Sequence, residues 1–484
     1  MSEGRASFPM RALAGLGGWL VRNRWAIVVF AAALVVRLHW NLRVHPPGDY
    51  VYSDMNGYVG RSAALWHDLL GKREYSGFYP WGTHALMFAM ERVFGKGDLV
   101  AVGKAFAVMG AATAMFGLLI AQRVTRFPPV AAAVGLVLIF DYPMISLSGY
   151  FLSETPFGLG LTAGTWLLLR VVDHGRARDA YLAGIAIAFA TVMRPQILVS
   201  VALLGVLWLL GRKLWPKLNL AMMCRAVAPL VLMLAFCVWR LHYHTERWGL
   251  ISENGSFNQV FGRCHVTKVI ALPDRPGRSR TVFGPPPLLQ LAKRSTTHPG
   301  EWPQLDPALA EHRDGAGTNF YYFGYIGDAV QHHEYMDRCV AEGGLLRQAE
   351  YAAVHVLMLW RYNILWPDSG KAQWQPSAAK WGAIHSYSFA IPAFLAMFIV
   401  FWPRAHPKLA LVAIHMWAAF IVAALYFGDV RLRTPYDPFV VLLALEGCAM
   451  LGAVLFDLVR RNRRPVSRVD ATSPRPPAET ASDR

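Results

Sequence analysis

Apolar residues along this chain gather in long runs, and short polar stretches separate one run from the next. About ten runs approach the roughly 20 residues that a helix needs to cross a lipid bilayer. They are Trp25–Trp40, Leu99–Ala121, Pro129–Leu147, Thr155–Val172, Tyr181–Met193, Ile197–Leu210, Leu220–Leu241, Trp381–Phe401, Leu409–Phe427 and Pro438–Leu458. The pattern predicts an all-α polytopic membrane protein with about ten transmembrane helices.

Two long stretches interrupt this series, residues 41–98 and residues 242–379. The first contains "MNGYVGRSAALWHDLL" and "YPWGTHALMFAMERVFG", whose length and apolar spacing predict two amphipathic helices along the membrane surface. The second is rich in Pro, Gly, Trp and Tyr, which favours a folded cap of mixed structure over a linker. An apolar run at 345–366 also carries two Arg, a Glu and a His, so it predicts an interfacial helix instead of an eleventh span.

Charge gives the orientation of the predicted spans. Only 16% of the 484 residues are charged, against about 25% in soluble domains, and 55% are hydrophobic. The net charge of +17 does not indicate nucleic-acid binding. The basic residues cluster in short loops, as is typical of the cytoplasmic loops of membrane proteins. With a cytoplasmic N-terminus at 1–24, every such cluster falls inside, from Arg123/Arg126 to the basic tail at 460–484.

This orientation divides the chain into a first transmembrane module at 25–241 with its outer loop 41–98, an outer cap at 242–379, C-terminal helices at 380–459 and a disordered tail at 460–484. It also sorts the five Cys residues. Cys264 and Cys339 share the outer cap, where oxidising conditions favour a disulfide between them. The other three lie in spans.

Two carboxylates converge on the outer face. Asp54 follows the first span, and Glu154 opens the fourth span within "YFLSETPF". Ionisable groups at a membrane boundary are costly and are often functional. A local alternative is that Asp54 caps a helix and that Glu154 only marks a helix start.

The order of several motifs resembles the GT-C membrane glycosyltransferases, and among them bacterial members of the protein mannosyltransferase and lipid A aminoarabinose transferase group. The motifs are an outer Asp after the first span, "FYPWGTHALMFAMERVFG", "YFLSETPF", "ATVMRPQIL", "SENGSFNQVFGRC" and "FGDVRLRTPYDPFVVLLAL". The resemblance implies inverting transfer of a sugar from a polyprenyl-phosphate donor in the membrane lipid. The acceptor would be a cell-envelope glycan, lipid or protein on the periplasmic or exterior face of the cell membrane.

The resemblance makes 25–241 a catalytic module and matches its two functional acids to Asp54 and Glu154. Some members carry paired acids in the first loop, whereas here Asp54 stands between Ser53 and Met55. A metal held by two adjacent acids is therefore not required. Asp54 and Glu154 together remain candidate ligands for a divalent cation, Mg²⁺ or Mn²⁺.

In the short outer loops, three arginines break the rule that positive charge stays inside: Arg194, Arg431 and Arg433. One interpretation is that they bind the donor phosphate, because guanidinium groups bind phosphate through paired hydrogen bonds. The other is that Asp429 and Asp437 pair locally with the two late arginines. Further candidates for the substrate site are Tyr52, Tyr58, His84, Asn254 and Asn258.

A different class of function also fits the composition. In a transporter or flippase for a lipid-linked saccharide, intramembrane charges such as Lys104 and Glu446 would line the path. The sequence shows no duplicated pattern of broken helices, and an outer cap of this size is more typical of an enzyme.

Overall fold

The computed structural model describes residues 23–263, 266–271, 279–284, 329–360, 365–368, 371–399, 401 and 405–462. These residues are helical apart from turns and one antiparallel ribbon. The helices are α1 (Arg24–His39), α2 (Asp54–His67), α3 (Gly82–Phe94), α4 (Leu99–Val124), α5 (Pro128–Phe140), α6 (Tyr142–Ser148), α7 (Glu154–His174), α8 (Ala177–Met193), α9 (Ile197–Gly211), α10 (Leu220–Thr245), α11 (Asn254–Arg263), α12 (Ala329–Trp360), α13 (Gln375–His385), α14 (Ile391–Ile399), α15 (Leu409–Leu425), α16 (Val430–Arg433) and α17 (Asp437–Asn462).

The all-α polytopic prediction is confirmed, since each predicted apolar run coincides with a helix or a helix pair. Among the described residues, six helices are long and apolar enough to cross a membrane: Arg24–Val44, Leu99–Val124, Glu154–His174, Ile197–Leu214, Leu220–Thr245 and Val430–Arg460. The pair α5 and α6, bent by 43°, gives a seventh candidate, and α15 is a shorter apolar helix. α12 contains most of the run at 345–366 and is not one of these candidates.

Small residues let the central helices pack closely, as is common between membrane helices. Ala33 on α1 and Ala111 and Ala114 on α4 are fully buried in one apolar cluster. On α8, Gly184 lies directly against α10, and a Cβ at this position would come within 2.1 Å of the Ala226 carbonyl oxygen. The backbones of these two helices are therefore in contact at a site that only glycine permits.

The predicted inner loops meet at one end of this bundle. The Asp173 carboxylate, at the end of α7, pairs with both Arg123 and Lys408. Lys217 donates to the Asp173 carbonyl. Glu154 begins the same helix, about 30 Å away at 1.5 Å per residue. The structure thus separates the loops predicted as inner from those predicted as outer.

The outer segments begin with α2 and α3, which pack against each other. Leu69, Leu70, Val93 and Phe94 are exposed near the ends of these helices. In the predicted cap, β1 (Val266–Ala271) and β2 (Ser279–Gly284) form the ribbon, with Val266 opposite Gly284.

The predicted disulfide lies outside what the structure describes. Cys264 is not among the described residues, and the side chain of Cys339 is not described either. The tail prediction also falls outside from residue 463 onward.

Candidate functional site

Four helix ends bring the candidate charges together on the predicted outer side. Asp54 and Glu154 are the first residues of α2 and α7, Arg194 directly follows α8, and Arg431 lies on α16. The positions of Asp54, Glu154 and Arg194 suit their charges, because a helix N-terminus favours a carboxylate and a C-terminus favours a cation. The preceding residue Ser53 adopts φ 50°, a conformation that costs a non-glycine residue about 1 kcal/mol or more and clusters at functional sites.

The Arg431 guanidinium joins the two acids. Its Nε donates to Glu154 Oε1, and its Nη1 donates to Asp54 Oδ2 at 3.1 Å. Both acids begin their helices, as the local alternative expects, and the N-cap residues before them, Ser53 and Ser153, form no side-chain cap. The contacts with Arg431 go beyond a helix start, and they bring the two acids together as the sequence predicts.

Arg194 completes the group from the other side of Glu154. Its Nη1 lies 2.6 Å from Glu154 Oε1 and 3.5 Å from Ser153 Oγ. The Glu154 side chain is 1% exposed, while that of Asp54 is 30% exposed. Two carboxylates and two guanidinium groups balance in charge, and Asp54 is the acid that solvent can reach.

Tyr79 holds the second oxygen of Asp54. Its hydroxyl donates to Asp54 Oδ1 at 3.1 Å. Burial, reinforced by the neighbouring Asp54 carboxylate, raises the pKa of Tyr79 above its ordinary value, so the hydroxyl keeps its proton. The Arg61 guanidinium lies over the Tyr79 ring, 4.7 Å from its centre. Sequence reasoning missed Tyr79, although it lies in the quoted "FYPWGTH" motif.

Arg433 lies elsewhere. It is fully buried and donates to the Leu359 carbonyl at 2.9 Å. It also contacts His385 Nδ1 at 3.2 Å and Asp437 at 3.5 Å. Successive helical residues are about 100° apart at 3.6 residues per turn, so Arg431 and Arg433 point to nearly opposite sides of α16. The local alternative describes Arg433, and the donor-phosphate assignment does not fit its position.

Asp54 and Glu154 do not form a metal site in this arrangement. Arg431 lies between them and donates to both. A divalent cation bound by both acids would have to displace the guanidinium and would add two charges to a balanced group. In this arrangement a guanidinium therefore lies where the Mg²⁺ or Mn²⁺ expected from the sequence would bind.

A second group of potential metal ligands lies beside Arg433. Asp141, His385 and Asp437 are buried, and their ligand atoms lie within 4.8 Å of one another. His385 Nε2 faces Asp141 Oδ1 at 3.4 Å and Asp437 Oδ1 at 3.5 Å.

This group could hold a metal ion. Among the described residues, His385 Nε2 and both carboxylate oxygens of Asp437 are buried without a hydrogen-bond partner. Because arginine can only donate, the contact from Arg433 makes His385 Nδ1 an acceptor. An ion bound at Nε2 would therefore have to displace the proton of neutral His385.

The remaining candidates lie around the acids in different roles. The Tyr52 hydroxyl donates to the Pro367 carbonyl at 2.8 Å. Tyr58 is buried beside Tyr79, and its burial raises its pKa to about 12. His84 is buried, and desolvation together with the Arg240 and Arg61 charges lowers its pKa well below the ordinary value.

The two asparagines belong to α11. The Asn254 backbone donates to the Phe78 carbonyl at 3.1 Å, and its side-chain Oδ1 accepts from Ser252 at 3.0 Å. Asn258 is half-buried in the middle of the helix. Asn254 is thus next to the segment that carries Tyr79.

The charges of the transporter alternative are far apart. Lys104 is exposed near the start of α4. Glu446 accepts a hydrogen bond from Thr125, the residue that ends the same helix. About 20 residues of α4 separate these two positions, or about 30 Å.

Trp366 is a further neighbour of the site that the sequence did not identify. Its ring lies on the Arg431 guanidinium, 4.3 Å from Cζ to the ring centre. The only signal in the sequence is the short "WPDSG" stretch near the end of the predicted cap.

No family model matches the chain, and no curated protein matches it. Several solved structures do match the chain. The archaeal oligosaccharyltransferase AglB from Archaeoglobus fulgidus, in complex with an inhibitory peptide and a dolichol-phosphate, is 12% identical with a TM-score of 0.47. This match covers 94% of this chain and 53% of AglB, so the chain spans about half the length of that protein. ArnT from Cupriavidus metallidurans, bound to undecaprenyl phosphate, is 16% identical with a TM-score of 0.37, covering 90% and 80% of the two chains.

Proposed function

We propose that this protein transfers a sugar from a polyprenyl-phosphate donor to an acceptor hydroxyl at the outer surface of the membrane, with inversion at the anomeric carbon. The observation that carries the proposal is the Arg431 guanidinium held between Asp54 and Glu154. Such a group supplies a base and cationic phosphate ligands within one site.

Asp54 is the general base of the proposed reaction. Each of its oxygens accepts one hydrogen bond, from Tyr79 and from Arg431. A carboxylate oxygen has two lone pairs, so Asp54 can still accept a bond from an acceptor hydroxyl at its exposed side. The hydroxyl oxygen attacks the anomeric carbon as its proton passes to Asp54.

The leaving phosphate needs cationic donors. As the bond from the anomeric carbon to the phosphate oxygen breaks, the phosphate keeps the electron pair and gains negative charge. Within the described residues, Nη2 of both Arg431 and Arg194 has no hydrogen-bond partner. These N–H groups can bind phosphate oxygens and remain charged throughout the reaction.

Glu154 has a supporting role in this scheme. It is buried and shared by two arginines, an arrangement that disfavours its protonation. It therefore orients Arg194 and Arg431 and leaves proton transfer to the more exposed Asp54.

The test is transfer of a radiolabelled sugar from a synthetic polyprenyl-phosphate donor by purified protein in detergent. Without a membrane gradient, transport contributes nothing to the signal. Asp54→Asn should lower the rate by roughly 100-fold or more, the usual contribution of a general base. Asp49→Asn is the matched control, because Asp49 is an exposed acid in the same outer loop. The flippase alternative would be favoured if the wild-type protein transferred no sugar from any such donor but moved a lipid-linked saccharide across the membrane of a vesicle.

A further inference from the structure

Trp366 covers one face of the arginine that joins the two acids. The Arg431 Cζ atom is 4.3 Å from the centre of the Trp366 ring. A planar guanidinium stacked on an aromatic ring cannot rotate freely about its side chain. The ring therefore restricts the directions in which Arg431 can aim its N–H groups.

Asp368, two residues further along, is held in place by three hydroxyl groups. Tyr142 and Ser146 donate to its Oδ2, both at 2.7 Å, and Tyr150 donates to its Oδ1 at 2.8 Å. The Asp368 side chain is fully buried. All three donors precede Glu154 in the chain, so Asp368 joins the end of the outer cap to the segment that leads into the site.

Pro367, the residue between Trp366 and Asp368, is held by a second contact. The Tyr52 hydroxyl donates to the Pro367 carbonyl at 2.8 Å, and the Tyr52 ring meets the Trp366 ring edge to face. Tyr52 itself lies two residues before Asp54. Residues 365–368 are thus anchored on both chain segments that lead to Asp54 and Glu154.

Asp368 differs from the other buried acids near the site. Among the described residues it forms no ion pair with Lys or Arg, and hydroxyl groups alone satisfy its carboxylate. Burial raises the pKa of Asp368, and the three hydroxyl donors oppose this shift. A buried carboxylate without a paired cation is costly, which argues that its three hydrogen bonds have a role beyond packing.

We infer that Asp368 is a positioning residue of the proposed transferase site. Its three hydroxyl contacts hold Trp366 against Arg431, and the stacked guanidinium then keeps Nη1 on Asp54 and Nε on Glu154. This inference rests on the proposed function for its effect on catalysis. The arrangement itself can be tested without any activity.

The first experiment measures the reactivity of individual arginines. Phenylglyoxal treatment of the purified protein, followed by peptide mass spectrometry, reports how accessible each guanidinium is. Asp368→Asn should increase the modification rate of Arg431 several-fold. Exposed Arg43 should react as in the wild type, and fully buried Arg433 should stay unmodified. Increased modification of Arg433 as well would mean general loosening and would overturn the inference.

The second experiment is a double-mutant cycle in the transfer assay. Asp368→Asn and Trp366→Leu should each lower kcat about tenfold, and the double variant should be no slower than Trp366→Leu alone, since both changes act through one contact. Multiplied losses in the double variant would contradict this.

Tyr150→Phe removes a single hydroxyl and provides a milder variant if Asp368→Asn folds poorly. Asp98→Asn is the control, because Asp98 is an exposed acid that only caps α4. An inactive wild type would refute the proposed function, whereas unchanged Arg431 reactivity would refute the positioning role.

Discussion

Replacing Arg431 tests the central contact of the site. Arg431→Lys keeps one positive charge but loses the planar fork that reaches two carboxylates at once. Arg431→Ala removes both contacts and leaves Asp54 with Tyr79 and Glu154 with Arg194. The two substitutions therefore separate the effect of charge from that of geometry.

The expected losses follow from the hydrogen bonds. A bond to a charged group contributes about 1.5 to 3 kcal/mol, and each 1.36 kcal/mol changes a rate about tenfold. Lys retains contact with one carboxylate, so kcat/KM for the donor should fall roughly 10- to 150-fold. Ala loses both bonds, about 3 to 6 kcal/mol, and should reduce kcat/KM by at least about 100-fold.

The assay is steady-state kinetics with the donor lipid varied, on protein that elutes as a single species. Arg43→Ala is the control, because Arg43 is an exposed arginine close to the start of the same outer loop. Donor kinetics for Arg431→Ala within a factor of two of wild type would refute the argument. So would full rescue by Lys, because charge alone would then explain the role.

Three further predictions follow. Exhaustive EDTA treatment should leave transfer unchanged, because a guanidinium already lies between the two acids; a loss that Mg²⁺ or Mn²⁺ restores would contradict this. Arg433→Met should lower the melting temperature, since breaking a buried ion pair costs about 3 to 5 kcal/mol, while donor KM of the folded fraction stays at the wild-type value. A raised donor KM at unchanged stability would instead favour phosphate binding. Mass spectrometry of unreduced protein should detect a Cys264–Cys339 disulfide, and alkylation of both residues without reductant would exclude it.

Hydropathy was sufficient to locate the long apolar helices, because crossing a bilayer demands long apolar runs whatever the tertiary contacts, although six or seven of the described helices, not ten, are long and apolar enough to span. The convergence of Asp54 and Glu154 also followed from the sequence, since counting spans places both on one side. Arg431 and Arg433 could not be separated in this way. Which of them faces the acids depends on the rotation of a single helical turn, and hydropathy carries no information about that rotation.

Tyr79, Trp366 and Asp368 were missed for a related reason. Their roles arise from contacts between distant parts of the chain, such as the 218 residues between Tyr150 and Asp368. A tyrosine or tryptophan in an outer loop is common in membrane proteins, so residue type alone does not distinguish a partner of the site. An acid within "WPDSG" was the one unusual feature available.

The order in which the site's members are synthesised gives the Arg431 contacts a consequence for biogenesis. Arg431 pairs with Asp54, 377 residues earlier in the chain, and with Glu154, 277 residues earlier. At 5 to 20 residues per second, Arg431 leaves the ribosome roughly 15 to 55 s after Glu154. During that interval Glu154 has only Arg194 to neutralise it at the membrane boundary. The earlier helices therefore lie in the bilayer with an incomplete site. The site becomes balanced in charge only when the segment that carries Arg431 is added.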